Sequence, residues 1–228
     1  MVRPVFVEKV NEILEERIVG RPLWYCVGDT DFYGYTIKVD ERVLIPRPET
    51  EILVEQALKH ISNKSSVLDL CTGSGAIAIA VKKQSDAKVT AIDVSNEALT
   101  LAKENAILNQ AEIEFIESDL FSKLDANQTK FDVIISNPPY IKSSDILTLQ
   151  NEVKNYEPTL ALDGGEDGLI FYRIIAKKAS DFLSDGGVIL LECGIGQAQE
   201  VSKMFEGFKT VEIIKDYENI DRIVKAVL

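Results

Sequence analysis

The chain has 228 residues, and its 37 acidic side chains outnumber 25 basic ones to leave a formal net charge of −12. A surface of that sign does not displace counterions from a phosphate backbone, so direct nucleic-acid binding is not expected; no apolar run reaches the ~18 residues of a membrane span, so no membrane contact is expected either. Cys26, Cys71 and Cys193 form no C-x-x-C pair and His60 is the single histidine, which speaks against a metal site and a Ser-His-Asp centre and fits a reducing cytosol.

The N-terminal stretch MVRPVFVEKVNEILEER lacks the long apolar core of a signal peptide, in keeping with a cytoplasmic protein. Residues 5–18 read as one helix, with Phe6, Val10, Ile13 and Leu14 as an apolar stripe at helical spacing. Residues 23–46 read as short strands broken at Gly28, Asp29-Thr30 and Gly34, a β-hairpin. A second helix is predicted after Pro48, where Glu49 and Glu51 suit the helix dipole. From residue 65 strands alternate with helices. The apolar runs 67–70, 88–93, 113–117, 131–136 and 187–192 are the strands, and 75–84, 95–109, 143–155, 167–184 and 196–206 the helices. Two further runs, 209–216 and 221–228, resemble a final antiparallel pair around Tyr217-Glu218-Asn219. This rhythm predicts an α/β fold: a seven-stranded, mainly parallel sheet covered by helices on both faces.

The candidate site residues sit where these strands end, and in open α/β sheets ligands bind at that edge. Asp69-Leu70-Cys71-Thr72-Gly73-Ser74-Gly75 joins the first strand of the sheet to the next helix. It matches neither G-x-G-x-x-G nor a phosphate loop, and a structural turn explains the glycine pair as well as a binding loop does. Asp93 closes the second strand and suits a ribose diol, or equally an N-cap for the helix near Ser95. After the third strand, Asp119 can take an adenine amino group while Leu120 packs on the ring. Three acids above a glycine turn make an adenosine-shaped site, and an acidic rim suits a sulfonium better than a pyrophosphate. S-adenosylmethionine is therefore the expected cofactor.

The fourth strand stops at Asn137-Pro138-Pro139-Tyr140. Asn137 offers an amide, Pro138 a carbonyl followed by no N–H donor, and Tyr140 a ring. Together they can hold a planar nitrogen, although a Pro-Pro turn after a core strand accounts for the tetrapeptide equally well.

With this corner the chain resembles the amino-methyltransferases, which methylate planar nitrogens of adenine, guanine or glutamine amides. Three more stretches resemble the release-factor glutamine methyltransferase family in particular: Gly20-Arg21-Pro22-Leu23 with Gly28, Leu44 through Glu51 (LIPRPETE), and Glu157 through Leu169 (EPTLALDGGEDGL). The resemblance runs from about residue 8 to 228 with its motifs in family order. It implies a Rossmann-like class I methyltransferase domain over 49–228, preceded by a remnant N-terminal helix and hairpin over 1–48. It further implies a shortened form of the family's N-terminal helical domain. The implied reaction is methylation, from S-adenosylmethionine, of the glutamine N5 in the Gly-Gly-Gln motif of peptide chain release factors. Carried over, Asp69, Leu70, Cys71, Thr72, Gly73 and Asp93 hold the methionine and ribose parts, Asp119 and Leu120 border the adenine, and Asn137 touches both ligands. Asn137 and Pro138 are then the catalytic pair, with Asn137 through Tyr140 binding the amide and Arg47–Glu51 lying over the same pocket. The enzyme is expected to be monomeric. The rival reading is an adenine-N6 or guanine-N2 nucleic-acid methyltransferase, against which the acidic charge argues.

Overall fold

The computed structural model describes the backbone from Pro4 to Leu228 and the side chains from Val7 onward. Phe6, assigned above to the apolar stripe of the first helix, lies outside the described side chains. The chain opens with helix α1 (Pro4–Ile18), a short helix α2 (Leu23–Val27), and a hairpin of β1 (Asp29–Phe32) and β2 (Tyr35–Lys38), followed by α3 (Thr50–Leu58). The alternating part comprises β3 (Ser66–Leu70), α4 (Ala76–Gln84), β4 (Lys88–Asp93), α5 (Asn96–Leu108), β5 (Ile113–Glu117) and β6 (Phe131–Ser136). Then come α6 (Asn151–Tyr156), α7 (Thr159–Leu162), α8 (Ile170–Phe182), β7 (Leu183–Glu192), α9 (Ala198–Lys203), β8 (Thr210–Lys215) and β9 (Asp221–Val227).

The seven strands of the main sheet run in the order β5-β4-β3-β6-β7-β9-β8, with β3 through β7 parallel and β9 antiparallel to both its neighbours. Alternation along each strand sorts side chains to opposite faces. Val67, Val133, Ile135, Val188 and Leu190 join the layer under α3, α4 and α5. Leu68, Leu70, Ile134, Ile189 and Leu191 join the layer under α8 and α9. Both faces are thus buried, which is why these strands read as nearly unbroken apolar runs. Burying each such Leu, Ile or Val stabilises the fold by roughly 1.5–3 kcal/mol.

The hairpin and the segment after it share this core. Phe32, Ile37, Val39 and Val43 lie in the same cluster as Ile52, Ile79 and Leu101. Asn105 of α5 ties the hairpin down: its Oδ1 accepts from the Lys38 amide at 2.8 Å and its Nδ2 donates to the Lys38 carbonyl at 3.0 Å. By contrast Val7, Val10, Leu14 and Ile18 of α1 are exposed, so the predicted stripe is not packed into the core. Helix α1 is fastened by polar contacts instead, chiefly Arg17 with Glu152 of α6 at 2.8 Å.

Four expectations change at the local level. Residues 23–27 form a helical turn, not a strand, because Pro22 opens it and Gly28, at φ 96°, closes it in a conformation that glycine adopts without steric cost. The predicted helix 143–155 is a 3₁₀ turn (Ile146–Thr148) and then α6, separated by extended Leu149 and Gln150; Leu147 is exposed, so no apolar face holds a longer helix together. The stretch 167–184 yields α8 from Ile170 only, since Gly168 has a positive φ. Strand β7 starts four residues early, at Leu183, across a bulge between the Phe131 and Val133 registers.

Candidate active site

The chain runs β3, β4, β5 outward on one side, then returns to lay β6 against the other side of β3. The carboxyl ends of β3 and β6 are therefore a topological switch point, where the following loops diverge and leave a crevice. A cavity of 340 Å³ lies there, within the range of small-molecule sites. Cys71, Gly73, Asp93, Asp119, Leu120, Asn137 and Pro139 all line it, so residues from the ends of four strands converge there. Two of them, Cys71 at φ 60° and Leu120 at φ 46°, hold a left-handed backbone that non-glycine residues adopt at a cost.

Asp69, Leu70, Thr72, Pro138 and Tyr140 do not line this cavity. Asp69 is fully buried in β3 and accepts from the Thr72 hydroxyl at 2.6 Å, while among the described residues its Oδ1 has no partner. Burial pushes its carboxyl up to about 7, partly opposed by the Thr72 hydrogen bond. Asp69 thus stands beneath the loop rather than on the rim. Asp93 is half-buried and grips the loop: Oδ2 accepts from the Gly73 amide and Oδ1 from the Ser95 amide, each at 2.9 Å. It is not the cap of α5. Ser95 is, through its hydroxyl and the Ala98 amide at 3.1 Å.

The Pro-Pro corner is built against a second loop. Ile141 pairs with Asp163, and the Gly164 amide donates to the Ile141 carbonyl at 2.7 Å. A Cβ on Gly164 would lie 2.8 Å from Tyr140 Cα and 2.9 Å from the Pro139 carbonyl, and one on Gly168 would strike the Tyr140 carbonyl. Gln197 completes the support, donating from Nε2 to the Tyr140 carbonyl at 2.9 Å and accepting at Oε1 from the Gly194 amide at 3.0 Å. The Gly-rich stretch after Glu157 is therefore a backbone-to-backbone buttress. Asn137 Nδ2 donates to the Thr50 hydroxyl at 3.3 Å. Among the described residues no hydrogen bond reaches Asn137 Oδ1 or the Pro138 carbonyl. Burial raises the Tyr140 phenol to about 12, so it stays neutral.

Two segments form the wall opposite the sheet: Glu41 through Leu44, and Pro158 through Ala161. Arg47 Nη2 meets Glu157 Oε1 at 2.5 Å and clasps them together. Burial raises the Glu157 carboxyl and Arg47 partly offsets this. The Arg47–Glu51 stretch does not line this cavity but runs beside the Pro-Pro corner, Arg47 on Glu157, Thr50 on Asn137, and Glu51 accepting the Tyr33 amide at 2.8 Å. The reason is the turn of the chain at Pro46 and Pro48, which carries the stretch past the cavity into α3.

Sequence reasoning missed Glu192 and Gln197, as well as the rim residues Glu41, Glu97 and Phe171, and reached Thr50 only as part of the Arg47–Glu51 stretch. Glu192 left a signal: a carboxylate closing an otherwise apolar buried strand. The others left none, since their roles arise from elements distant in sequence.

The family model described as "Methyltransferase small domain" matches residues 48–165. Curated relatives named release factor glutamine methyltransferase include that of Thermodesulfovibrio yellowstonii, 45% identical over 94% of this chain and 79% of the relative. That of Fusobacterium nucleatum is 46% identical over 96% of this chain and 63% of the relative, and that of Streptococcus pneumoniae 46% identical over 94% and 78%. Among solved structures, a methyltransferase from Pyrococcus furiosus superposes at TM-score 0.66 with 18% identity, covering 96% of this chain and 98% of that one. A T. thermophilus 16S rRNA N2 G1207 methyltransferase in complex with AdoMet and guanosine superposes at 0.63 with 17% identity, covering 87% and 49%. These structural likenesses establish the class I methyltransferase fold.

Proposed function

This chain belongs to the release factor glutamine methyltransferase family, and from that membership we propose that it methylates the side-chain amide N5 of the glutamine in the Gly-Gly-Gln motif of peptide chain release factors. S-adenosylmethionine is the methyl donor. The observation that carries the reading is the 45% identity over 94% of the chain; the geometry of the corner supports it. In this reading the enzyme is a cytoplasmic monomer whose partner is the release factor, with neither membrane nor nucleic-acid contact. Residues 49–228 form the catalytic domain, preceded by the helix and hairpin region 1–48.

The lining suits the donor. Its rim carries Glu41, Asp93, Glu97 and Asp119 against one cation, Arg42, which is already paired with Asp40 at 2.7 Å. Ile92, Leu120 and Phe171 supply apolar faces for a purine. Asp93 keeps lone pairs for the ribose hydroxyls, Asp119 takes the adenine amino group, and Leu120 packs on the ring. The Cys71–Gly73 backbone borders the methionine part, with Asp69 supporting that loop from below through Thr72 and the Leu70 carbonyl tied to the Ser136 hydroxyl. Bound there, S-adenosylmethionine supplies an electrophilic methyl on a positively charged sulfur.

An amide nitrogen is a weak nucleophile because its lone pair is delocalised into the carbonyl. Asn137 Oδ1 and the Pro138 carbonyl, both free acceptors, receive its two N–H bonds and fix its orientation. The same oxygens stabilise the positive charge that develops on the nitrogen, and the proton then leaves to water. Pro138 and Pro139 keep the acceptors rigid, and Tyr140 walls the amide plane.

The test is transfer of labelled methyl to a purified release factor, to its Gly-Gly-Ala variant, and to duplex DNA. Label on the factor that vanishes in the variant is the expected result. Label on DNA would overturn the substrate.

A further inference from the structure

The corner works only if Asn137 presents oxygen, not nitrogen, to the substrate. The two ends of a primary amide have nearly the same shape, so partners alone decide which way it faces. On the side away from the cavity Asn137 meets Thr50, at the first turn of α3, with Glu192, at the last position of β7, as its neighbour. Register places Glu192 directly beyond Leu191, the residue opposite Ser136, so it stands beside Asn137 across the β6–β7 pair.

Glu192 is 2% exposed and among the described residues its Oε2 has no hydrogen-bond partner. Glu49 and Thr50 face it from α3, Asn137 and Tyr140 from the corner, Tyr172 from α8, Cys193 from the next position, and Arg222 from β9. Arg222 is committed elsewhere, to Asp216 at 3.1 Å and to the Cys193 carbonyl at 3.4 Å. The hydrogen-bond donors placed to act on the Glu192 carboxylate are the Thr50 hydroxyl and the Asn137 amide, which meet each other at 3.3 Å. A hydroxyl has one hydrogen. If Thr50 gives it to the carboxylate, Thr50 can only accept from Asn137, and Asn137 must turn Nδ2 inward.

We propose that Thr50 and Glu192 are positioning residues that lock the Asn137 amide with Nδ2 toward the protein and Oδ1 toward the cavity; this rests on the amide-methylating reading of the corner. Protonating Glu192 turns an acceptor into a donor. Thr50 can then reverse and donate to Asn137 Oδ1, which presents the wrong end of the amide to the substrate. Burial already lifts the Glu192 carboxyl to about 7, so the reversal falls near neutral pH.

Four forms of the chain test this: wild type, Thr50→Val, Thr50→Ser and Glu192→Gln. Thr50→Val keeps shape but neither donates nor accepts, and its kcat is expected to fall on the order of 10²-fold, the scale of a misplaced catalytic group. Thr50→Ser keeps the hydroxyl and should recover most of that loss, while the donor's Kd stays within about twofold throughout. Wild-type kcat should show an acid limb that Glu192→Gln, which cannot ionise, flattens. Independently of activity, the side-chain amide resonance of Asn137 in ¹⁵N-labelled protein should titrate with that limb, and stop titrating in Glu192→Gln. Wild-type kcat in Thr50→Val, or an Asn137 resonance indifferent to Glu192, would overturn the relay. A wild type that methylates no glutamine while its Asn137 resonance still follows Glu192 would support the relay and overturn the substrate.

Discussion

Asn137 and Asp93 divide the site between them, and their surroundings say how each fails. Asn137 meets the protein through one hydrogen bond to Thr50 and leaves its oxygen free. Asn137→Ala should therefore cost kcat about 10²–10³-fold, as loss of one charge-stabilising group does, while calorimetry finds donor affinity nearly unchanged. An equal loss of donor affinity would assign Asn137 to the other half of the site. Asp93 instead holds the Gly73 and Ser95 amides at once. Asp93→Ala frees both and removes a ribose acceptor, so the donor's Kd should rise at least about tenfold, with kcat at saturating donor far less affected.

At the scale of elements, the glycine-rich loop before α8 is a fitted backing for the Pro-Pro corner. Gly164→Ala forces a Cβ within 2.8 Å of Tyr140 Cα, backbone against backbone, where nothing soft can yield. Overpacking of this kind costs about 1–3 kcal/mol, so thermal unfolding should begin earlier and kcat should fall together with it. Retained kcat in a destabilised Gly164→Ala would separate the buttress from catalysis. The Arg47–Glu157 clasp gives an asymmetric pair of variants. Arg47→Met strands a buried carboxylate whose Oε2 already lacks a partner among the described residues, whereas Glu157→Gln leaves a neutral amide and an arginine that is still partly exposed to solvent. Denaturant melts should rank Arg47→Met as the less stable of the two.

Over the whole molecule, two buried carboxylates set an unusual pH dependence. Asp69 and Glu192 both titrate near 7 in the fold, well above their ordinary values of 3.8 and 4.5. A raised carboxyl binds its proton more tightly folded than unfolded, so between those values and about 7 the folded state holds more protons. Stability from these two groups is accordingly complete below their ordinary values and lost as pH rises to about 7. Salt-bridged or hydrogen-bonded carboxyls such as Asp40, Asp163 and Asp216 are lowered and act oppositely, at more acid pH. The melting temperature should therefore decline from pH 5 to 7.5, and Asp69→Asn should flatten part of that slope; a wild-type curve that rises over this range contradicts the assignment.

The strands 67–70, 88–93 and 131–136 were legible because strands buried on both faces demand nearly unbroken apolar runs of strand length, and the half-buried edge strand 113–117 followed from the same rhythm. The ends of those strands were legible for the same reason, which is how Cys71, Gly73, Asp93, Asp119, Leu120, Asn137 and Pro139 could be named before any fold was seen. Leu23–Val27 misled, since Trp, Tyr and Val favour strands and the decisive marks were the flanking Pro22 and Gly28. Thr50, Glu192 and Gln197 were illegible individually: Thr50 and Asn137 are 87 positions apart, and Gln197 and Tyr140 are 57 apart. Local pattern reports which face a residue takes, because that depends on its neighbours in the chain. Which of two buried polar groups meets a third depends on how the sheet orders its strands, and only the assembled sheet puts Glu192 beside Asn137 while sinking Asp69 beneath the loop.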